Sequence, residues 1–313
     1  MIDIVDFLLY FGIIVNVFGI LALSLNLQYG LTGLLNFGQV AFFAIGAYAS
    51  AIATSKLGCS FIVGSLVGMG AAALFGLLIC APVAKLEDDY WAVITLAASE
   101  IVRITIMNAE SITGGPYGLR NIPRPFAGLF ENYSLTFFLL SAICLILVYL
   151  FAQTLTRSPF GRVLRAIREE EVFPVSFGKK TYFFKLQVVA VGGAIAGLAG
   201  SLYAHYLQFI SPDYFIPLIT FFIWSMVIVG GKGNNIGVIL GVVAIQLIYV
   251  SSRFIKDYIT LPGSFEGIRL LLIGLILILF MRFKQDGVLS EKKTSHQIDQ
   301  QEATKLAGDS VGT

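Results

Sequence analysis

Residues 7–25 read FLLYFGIIVNVFGILALSL, without a single Asp, Glu, Lys or Arg. A helix needs about 20 predominantly apolar residues to cross a hydrocarbon core, and this stretch meets both the length and the composition. Working outward from it, comparable windows lie near 34–54, 61–83, 91–107, 134–152, 186–207, 216–231, 236–251 and 265–282. The pattern predicts an all-α chain, a polytopic integral membrane helical bundle of about nine transmembrane helices with room for a broken one. Composition agrees: 57% of the 313 residues are hydrophobic and 13% charged, whereas a soluble domain averages about 45–50% apolar and about 25% charged. An ordinary soluble enzyme is excluded. A net charge of +2 is too balanced for the basic footprint of a nucleic-acid binder, so nucleic acid is not a partner.

The N-terminus carries Asp3 and Asp6 and no Lys or Arg before the first apolar run, which is unlike a cleaved signal peptide, so that run is expected to stay as a membrane anchor. Orientation follows the Lys and Arg of the short loops. Loop 154–185 holds Arg157, Arg162, Arg165, Arg168, Lys179, Lys180 and Lys185 against Glu169, Glu170 and Glu171, which is 7 − 3 = +4, and is placed in the cytoplasm. Counting spans from there puts the N-terminus outside and the C-terminus inside. Arg253 and Lys256, in an outside loop, run against the rule, and Lys85 shares its inside loop with Glu87, Asp88 and Asp89. The expected organisation is a transmembrane domain over 1–283, with 154–185 as its cytoplasmic loop, and a tail over 284–313. That tail is too polar to bury a core and is expected to be disordered in the cytoplasm. Gly64, Gly68, Gly70 and Gly76 in one span, and Gly192, Gly193, Gly197 and Gly200 in another, read as packing faces, because small residues let helix backbones approach closely in lipid.

Chemistry is sparse. Cys59, Cys80 and Cys144 are far apart in apolar surroundings and read as buried thiols; His205 has no second ligand at metal spacing and reads as an interfacial histidine. No metal site is expected. Neither Gly178-Lys179 nor Gly231-Lys232 is a phosphate-binding loop: the required upstream glycine is Phe173 or Met226, and the required Ser or Thr is Lys180 or Gly233. The chain is therefore expected to hold no cofactor, and any ATP to be bound by partner subunits.

Three passages stand out. The stretch 26–48, NLQYGLTGLLNFGQVAFFAIGAY, brings Asn26, Gln28, Thr32, Asn36 and Gln39 with Gly30, Gly33 and Gly38 into the membrane region. Such residues are tolerated at depth only where they face protein or a water-filled cavity; a broken helix lining a solute path and an interfacial loop capping the next helix account for them equally. Glu100 and Arg103 share a helix face, with Glu100 about 15 Å from the inner end at Tyr90, near the bilayer midplane. A self-neutralised structural pair and a direct role in solute passage both stand. In the cytoplasmic loop, Arg162, Arg165 and Arg168 with Glu169 form a charged amphipathic helix, and Gly178 marks a turn; alone, this reads equally as an anchor to membrane lipid. The outside loop Ser111 to Leu119 is a turn-rich segment, either a contact for an external partner or a plain connection.

Together these passages resemble the permease subunit of branched-chain amino-acid ABC importers, the LivM/LivH type. The likeness is carried by Leu25-Asn26-Leu27 through Gly30-Leu31-Thr32-Gly33 with Gly46-Ala47-Tyr48, and by Tyr90 through Thr95-Leu96 and Glu100-Ile101-Val102-Arg103. Thr113-Gly114-Gly115 with Gly118, then Arg157-Ser158-Pro159-Phe160-Gly161-Arg162 through Arg165-Ala166-Ile167-Arg168-Glu169, and finally Ala196-Gly197-Leu198-Ala199-Gly200 with Gly230-Gly231 complete it. The resemblance implies an inner-membrane importer of leucine, isoleucine or valine, with importers of urea, amides or other amino acids sharing the architecture. It implies as partners a second permease subunit, two cytoplasmic ATP-binding subunits and an external solute-binding protein. It also makes 154–185 the loop that docks on the ATPase, through Arg162, Arg165, Arg168, Glu169 and Gly178. The chain departs from the family's small residues at Phe173, Pro174 and Val175, where Pro174 is expected either to end a helix or to open one as its first residue. A stand-alone secondary transporter using Glu100 to bind an ion is the competing reading, and a membrane-bound enzyme is disfavoured because no nucleophile and base set appears.

Overall fold

The computed structural model describes residues 4–84, 88–126 and 132–258, with 274, 275, 278–280, 282, 284 and 287–289 beyond them; of 88, 89 and 251–258 only the backbone is described. Its elements are α1 (Ile4–Leu25) continuing into a π-turn (Asn26–Gly30), α2 (Gln39–Ser55), α3 (Phe61–Val83), α4 (Asp88–Asn108) and a short α5 (Glu110–Thr113). There follow α6 (Tyr133–Arg157), α7 (Pro159–Glu169), α8 (Val172–Ser176), α9 (Thr181–Leu207), α10 (Pro217–Gly230) and α11 (Asn235–Tyr258). Five of these helices are long and apolar enough to cross a membrane, and Gln39–Ser55, Pro217–Gly230 and Asn235–Val250 are shorter apolar helices. Eight of the nine expected spans thus have a helix. The second starts at Gln39 rather than at 34, because 33–36 is non-helical, and the ninth, 265–282, lies mostly outside the described residues. So does the expected disordered tail, apart from Lys284 and Gly287 to Leu289, where Val288 and Leu289 donate backbone hydrogen bonds to the Val229 and Gly230 carbonyls (2.8 and 3.2 Å).

Local chemistry sets the helix starts. Ser60, Asn132 and Ser158 are extended residues whose side-chain oxygens accept from the backbone N–H of Val63, Ser134 and Gly161, and Pro159 follows Ser158 as the first residue of α7. These groups satisfy donors that the first helical turn leaves unpaired. The core is the contact of α2, α3 and α9. There Gly46, Gly68 and Gly197 meet backbone to backbone: a Cβ on Gly46 would lie 2.2 Å from Gly197 Cα, and one on Gly197 would lie 2.7 Å from the Gly68 carbonyl oxygen. Gly70, expected on the same packing face, has nothing within 4 Å of where its Cβ would be. Of the thiols expected to be buried, Cys80 is, while Cys59 and Cys144 are half-buried and free.

Contacts among loops and helix ends sort the molecule into two ends. Lys56 donates to the Ser111 and Ile112 carbonyls (both 2.8 Å), and Leu119 forms an isolated antiparallel bridge with Ile210. At the other end, the Tyr182 hydroxyl donates to the Ala81 carbonyl (3.1 Å) and Arg168 reaches the Gly30 carbonyl. Each contact joins segments that span counting assigns to one side, the first pair outside and the second pair with the basic loop.

Candidate functional site

At the foot of α1 the helix widens into the π-turn and stops after Thr32; Gly33, at φ +82°, turns the chain before α2 begins. Of the five polar residues singled out in this stretch, Asn26, Gln28, Asn36 and Gln39 are at 0% exposure and Thr32 is at 3%. Three of them form one network with Ser24. Asn36 Nδ2 donates to Gln28 Oε1 (2.8 Å) and Gln39 Oε1 (3.2 Å), Gln39 Nε2 donates to Ser24 Oγ (2.8 Å), and Ser24 Oγ donates to the Gly192 carbonyl (2.6 Å). Asn36 also accepts from the Gly38 N–H (2.8 Å) on its side-chain oxygen and from Trp224 Nε1 (3.0 Å) on its carbonyl. Asn26 stands apart: its Oδ1 accepts from the Gly233 N–H and its Nδ2 donates to Asn235 Oδ1, both at 2.9 Å, tying α1 to the start of α11. Buried groups paired in this way specify a backbone shape. Here they hold the interruption between α1 and α2.

Glu100 and Arg103 do meet, through a two-pronged contact of Nε and Nη2 with the carboxylate (3.1, 3.0 and 2.5 Å), and Arg103 Nη1 lies 3.2 Å from Met107 Sδ. The pair is not enclosed by this chain. The Glu100 side chain is 38% exposed and that of Arg103 21%, at the rim of the α4 face that buries Trp91, Thr95 and Ser99. It is separate from the network around Asn36.

The cytoplasmic loop is a built unit. α7 buries Gly161, Leu164 and Ile167, and Phe160 stacks on Phe184 of α9 at 5.4 Å between centroids. Of the residues expected to meet the ATPase, Arg165 and Arg168 are turned inward: Arg165 donates to the Thr156 carbonyl (2.5 Å), and Arg168 donates to Gly30 in the π-turn. Gly33 lies beside it, where a Cβ would come within 3.2 Å of Arg168 Cγ. Arg162, Glu169 and Gly178 are exposed, with Gly178 at φ +72° in the turn before α9. Pro174 neither ends a helix nor starts one as its first residue; it is the third residue of α8, still within the first turn, where its missing N–H has no intrahelical partner to lose. Lys185 pairs with Glu171 at 2.8 Å.

Reading the sequence missed several features. Around α8, Val172, Phe173, Val175 and Phe177 are all exposed. Beside the interruption, Phe37 stacks on Trp224 (4.9 Å, 23°) and touches Phe221 (5.5 Å), while Tyr29 lies 4.4 Å from Trp224. Phe221 and Trp224 share α10, but Tyr29 and Phe37 come from the π-turn and the segment before α2, so no linear spacing marks the group. His205, read as interfacial, is fully buried: its Nδ1 meets the Ser201 carbonyl at 2.8 Å and its Nε2 meets Thr54 Oγ1 at 3.1 Å. Among the described residues no group of three or more His, Cys, Asp or Glu is placed to hold a metal ion.

A family model described as the permease component of the branched-chain amino acid transport system matches residues 7–281. The high-affinity branched-chain amino acid transport system permease protein LivM of Escherichia coli (strain K12) is 34% identical over 294 residues, covering 86% of this chain and 67% of that protein. Its counterpart in Salmonella typhimurium is 35% identical with the same coverage. A probable branched-chain amino acid transport permease protein LivM of Methanocaldococcus jannaschii is 33% identical over 325 residues, covering 91% of this chain and 92% of that protein. No solved structure matches the chain.

Proposed function

The chain belongs to the family of permease components of branched-chain amino acid transport systems, and on that premise we propose that it forms one membrane-embedded half of an ATP-driven importer carrying leucine, isoleucine or valine inward. As a member of that family it is a multi-pass inner-membrane permease. In this reading a second permease completes the membrane part, an external binding protein delivers the solute, and two cytoplasmic subunits bind and hydrolyse ATP. The chain itself performs no hydrolysis and holds no cofactor.

The observation that carries the reading is the contact of Arg168 with the Gly30 carbonyl. It fastens α7, in the basic cytoplasmic loop, to the place where the first membrane helix is interrupted. A hydrogen bond from a charged donor contributes about 1.5–3 kcal/mol, and this one joins a loop accessible to a cytoplasmic ATPase to the π-turn that carries Asn26 and Gln28. A displacement of the loop is thereby delivered to a helix break rather than to an intact helix. Arg162 and Glu169, with the exposed apolar side chains of α8, offer the docking surface, and Gly178 the turn behind it.

The test is copurification of the tagged chain with the other subunits. The account expects an ATPase, a second permease and leucine uptake that stops when the ATPase is inactivated. A chain that purifies without them and carries leucine under an ion gradient would be the stand-alone transporter instead.

A further inference from the structure

Between α6 and α11 lies a groove of about 210 Å³, lined by Leu145, Ile146, Tyr149, Ile236, Ile239 and Leu240. Ile146, Ile236 and Leu240 are exposed in it, and no charged side chain lines it. Its lower end is the end of the molecule that carries the basic loop, since α6 finishes there at Arg157 and α11 starts there at Asn235. From Gln153 up to Leu145, α6 rises about 12 Å, most of the roughly 15 Å depth of one leaflet.

A chain of amides closes that lower end. The Gly233 N–H donates to Asn26 Oδ1 (2.9 Å), Asn26 Nδ2 donates to Asn235 Oδ1 (2.9 Å), and Asn235 Nδ2 donates to Gln153 Oε1 (3.0 Å). A backbone N–H can only donate, so it sets the direction of all three side-chain amides. Gln153 is thereby left with its NH2 group toward Arg157, whose Nε and Nη2 both lie 3.1 Å from that end of the amide. Reversing Gln153 would give Arg157 an acceptor but would set donor against donor further in, at Asn235 or at Asn26, which are 3% and 0% exposed. Such a mismatch costs most where it is buried. It therefore rests between Gln153, which is half-buried, and Arg157, which is exposed. Donors of two side chains converge there, at the mouth of an apolar groove, on a place open to an acceptor from outside.

We propose that the groove is a binding site for an anionic phospholipid of the leaflet on the side of the basic loop. A phosphodiester oxygen accepts from Gln153 Nε2 and from the Arg157 guanidinium, and an acyl chain lies along Tyr149, Ile146 and Leu240. An apolar helix of another subunit would fill the groove and leave the donors unmatched, whereas a free phosphate would match the donors and leave the groove empty. A phospholipid answers both. Exposed Lys232, three residues before Asn235, adds a second cation at this end, so a zwitterionic lipid would bring its own cation against two others. Through Asn235 and Asn26 the headgroup is joined to the π-turn at the foot of α1. The site goes beyond the transport reading and does not depend on it.

The experiment measures phosphatidylglycerol and phosphatidylcholine retained by the full chain in micelles, by native mass spectrometry. Phosphatidylglycerol is expected to be preferred. Arg157→Gln should weaken its binding by about tenfold, the effect of losing one charge-assisted hydrogen bond, while Lys179→Gln, which removes an exposed cation elsewhere in the loop, should leave it unchanged. Gln153→Glu places an acceptor between Asn235 and Arg157, so that variant should be at least as heat-stable as the unmutated chain and should lose the preference. Leu240→Trp should fill the groove and lose phosphatidylglycerol with every charge in place. Equal retention of the two lipids, equal losses in Lys179→Gln and Arg157→Gln, or a preference indifferent to Gln153→Glu would overturn the site. So would full displacement by inorganic phosphate, which would make it a free-anion site. Leu240→Trp that keeps phosphatidylglycerol but no longer assembles with a second permease would assign the groove to that subunit and overturn it as well.

Discussion

Replacing Asn36 by leucine should loosen the junction of α1 and α2, and the structure sets the size of the effect. The substitution removes the donors to Gln28 Oε1 and Gln39 Oε1 and the acceptor for the Gly38 N–H. Gln28 Oε1 and the Gly38 N–H are then left without these partners in a region at 0% exposure. Each buried group so stranded costs about 1–3 kcal/mol. Burying the leucine side chain offsets about 2 kcal/mol, and the net loss is about 2 kcal/mol. Replacing Gln28 by leucine as well removes one of the stranded groups, so the double variant should lose less than the sum of the single ones, by at least about 1 kcal/mol. Trp224 donates to the Asn36 carbonyl, which makes tryptophan fluorescence during denaturant unfolding in micelles a local readout. Wild-type stability in Asn36→Leu, or strict additivity with Gln28→Leu, would refute the network as the element that holds the interruption.

Further outcomes follow from other contacts. Gly46→Val forces backbone against backbone between α2 and α9 and should cost about 3 kcal/mol or more, seen as loss of the monodisperse peak in size exclusion. Gly70→Val, with open space at its Cβ, should stay within about 0.5 kcal/mol of wild type. Glu100→Gln should change stability by no more than about 0.5 kcal/mol, because the pair is a partly exposed i,i+3 contact, yet reduce uptake at least tenfold; unchanged uptake with lost folding would make the pair purely structural. Arg168→Met should leave membrane abundance intact and abolish solute-stimulated ATP hydrolysis, while Arg168→Lys retains part of it, as measured on the assembled complex.

The membrane helices were legible because hydrocarbon imposes one demand, about 20 apolar residues in a row, that local composition meets or fails. The polar stretch around Asn26 to Gln39 was legible as an anomaly for the same reason. Its arrangement was not: that Gln39 bonds Ser24, or that Asn26 bonds Asn235, 209 positions away, depends on how α1, α2 and α11 pack. Glu100 and Arg103 could be paired from their spacing, but their exposure could not be read, since it depends on which face of α4 the rest of the bundle covers. Pro174 misled in the other direction: the rule that proline breaks helices does not apply in a first turn, and the start of α8 at Val172 is what places it there.

The central claim is that ATP bound by partner subunits drives an amino acid through this chain. Labelled leucine taken up by proteoliposomes that contain the complete assembly, with the binding protein on one face and ATP on the other, measures it directly. The account predicts accumulation above the external concentration that requires ATP and disappears with Arg168→Met. Equal accumulation in that variant, or accumulation without ATP, would contradict it.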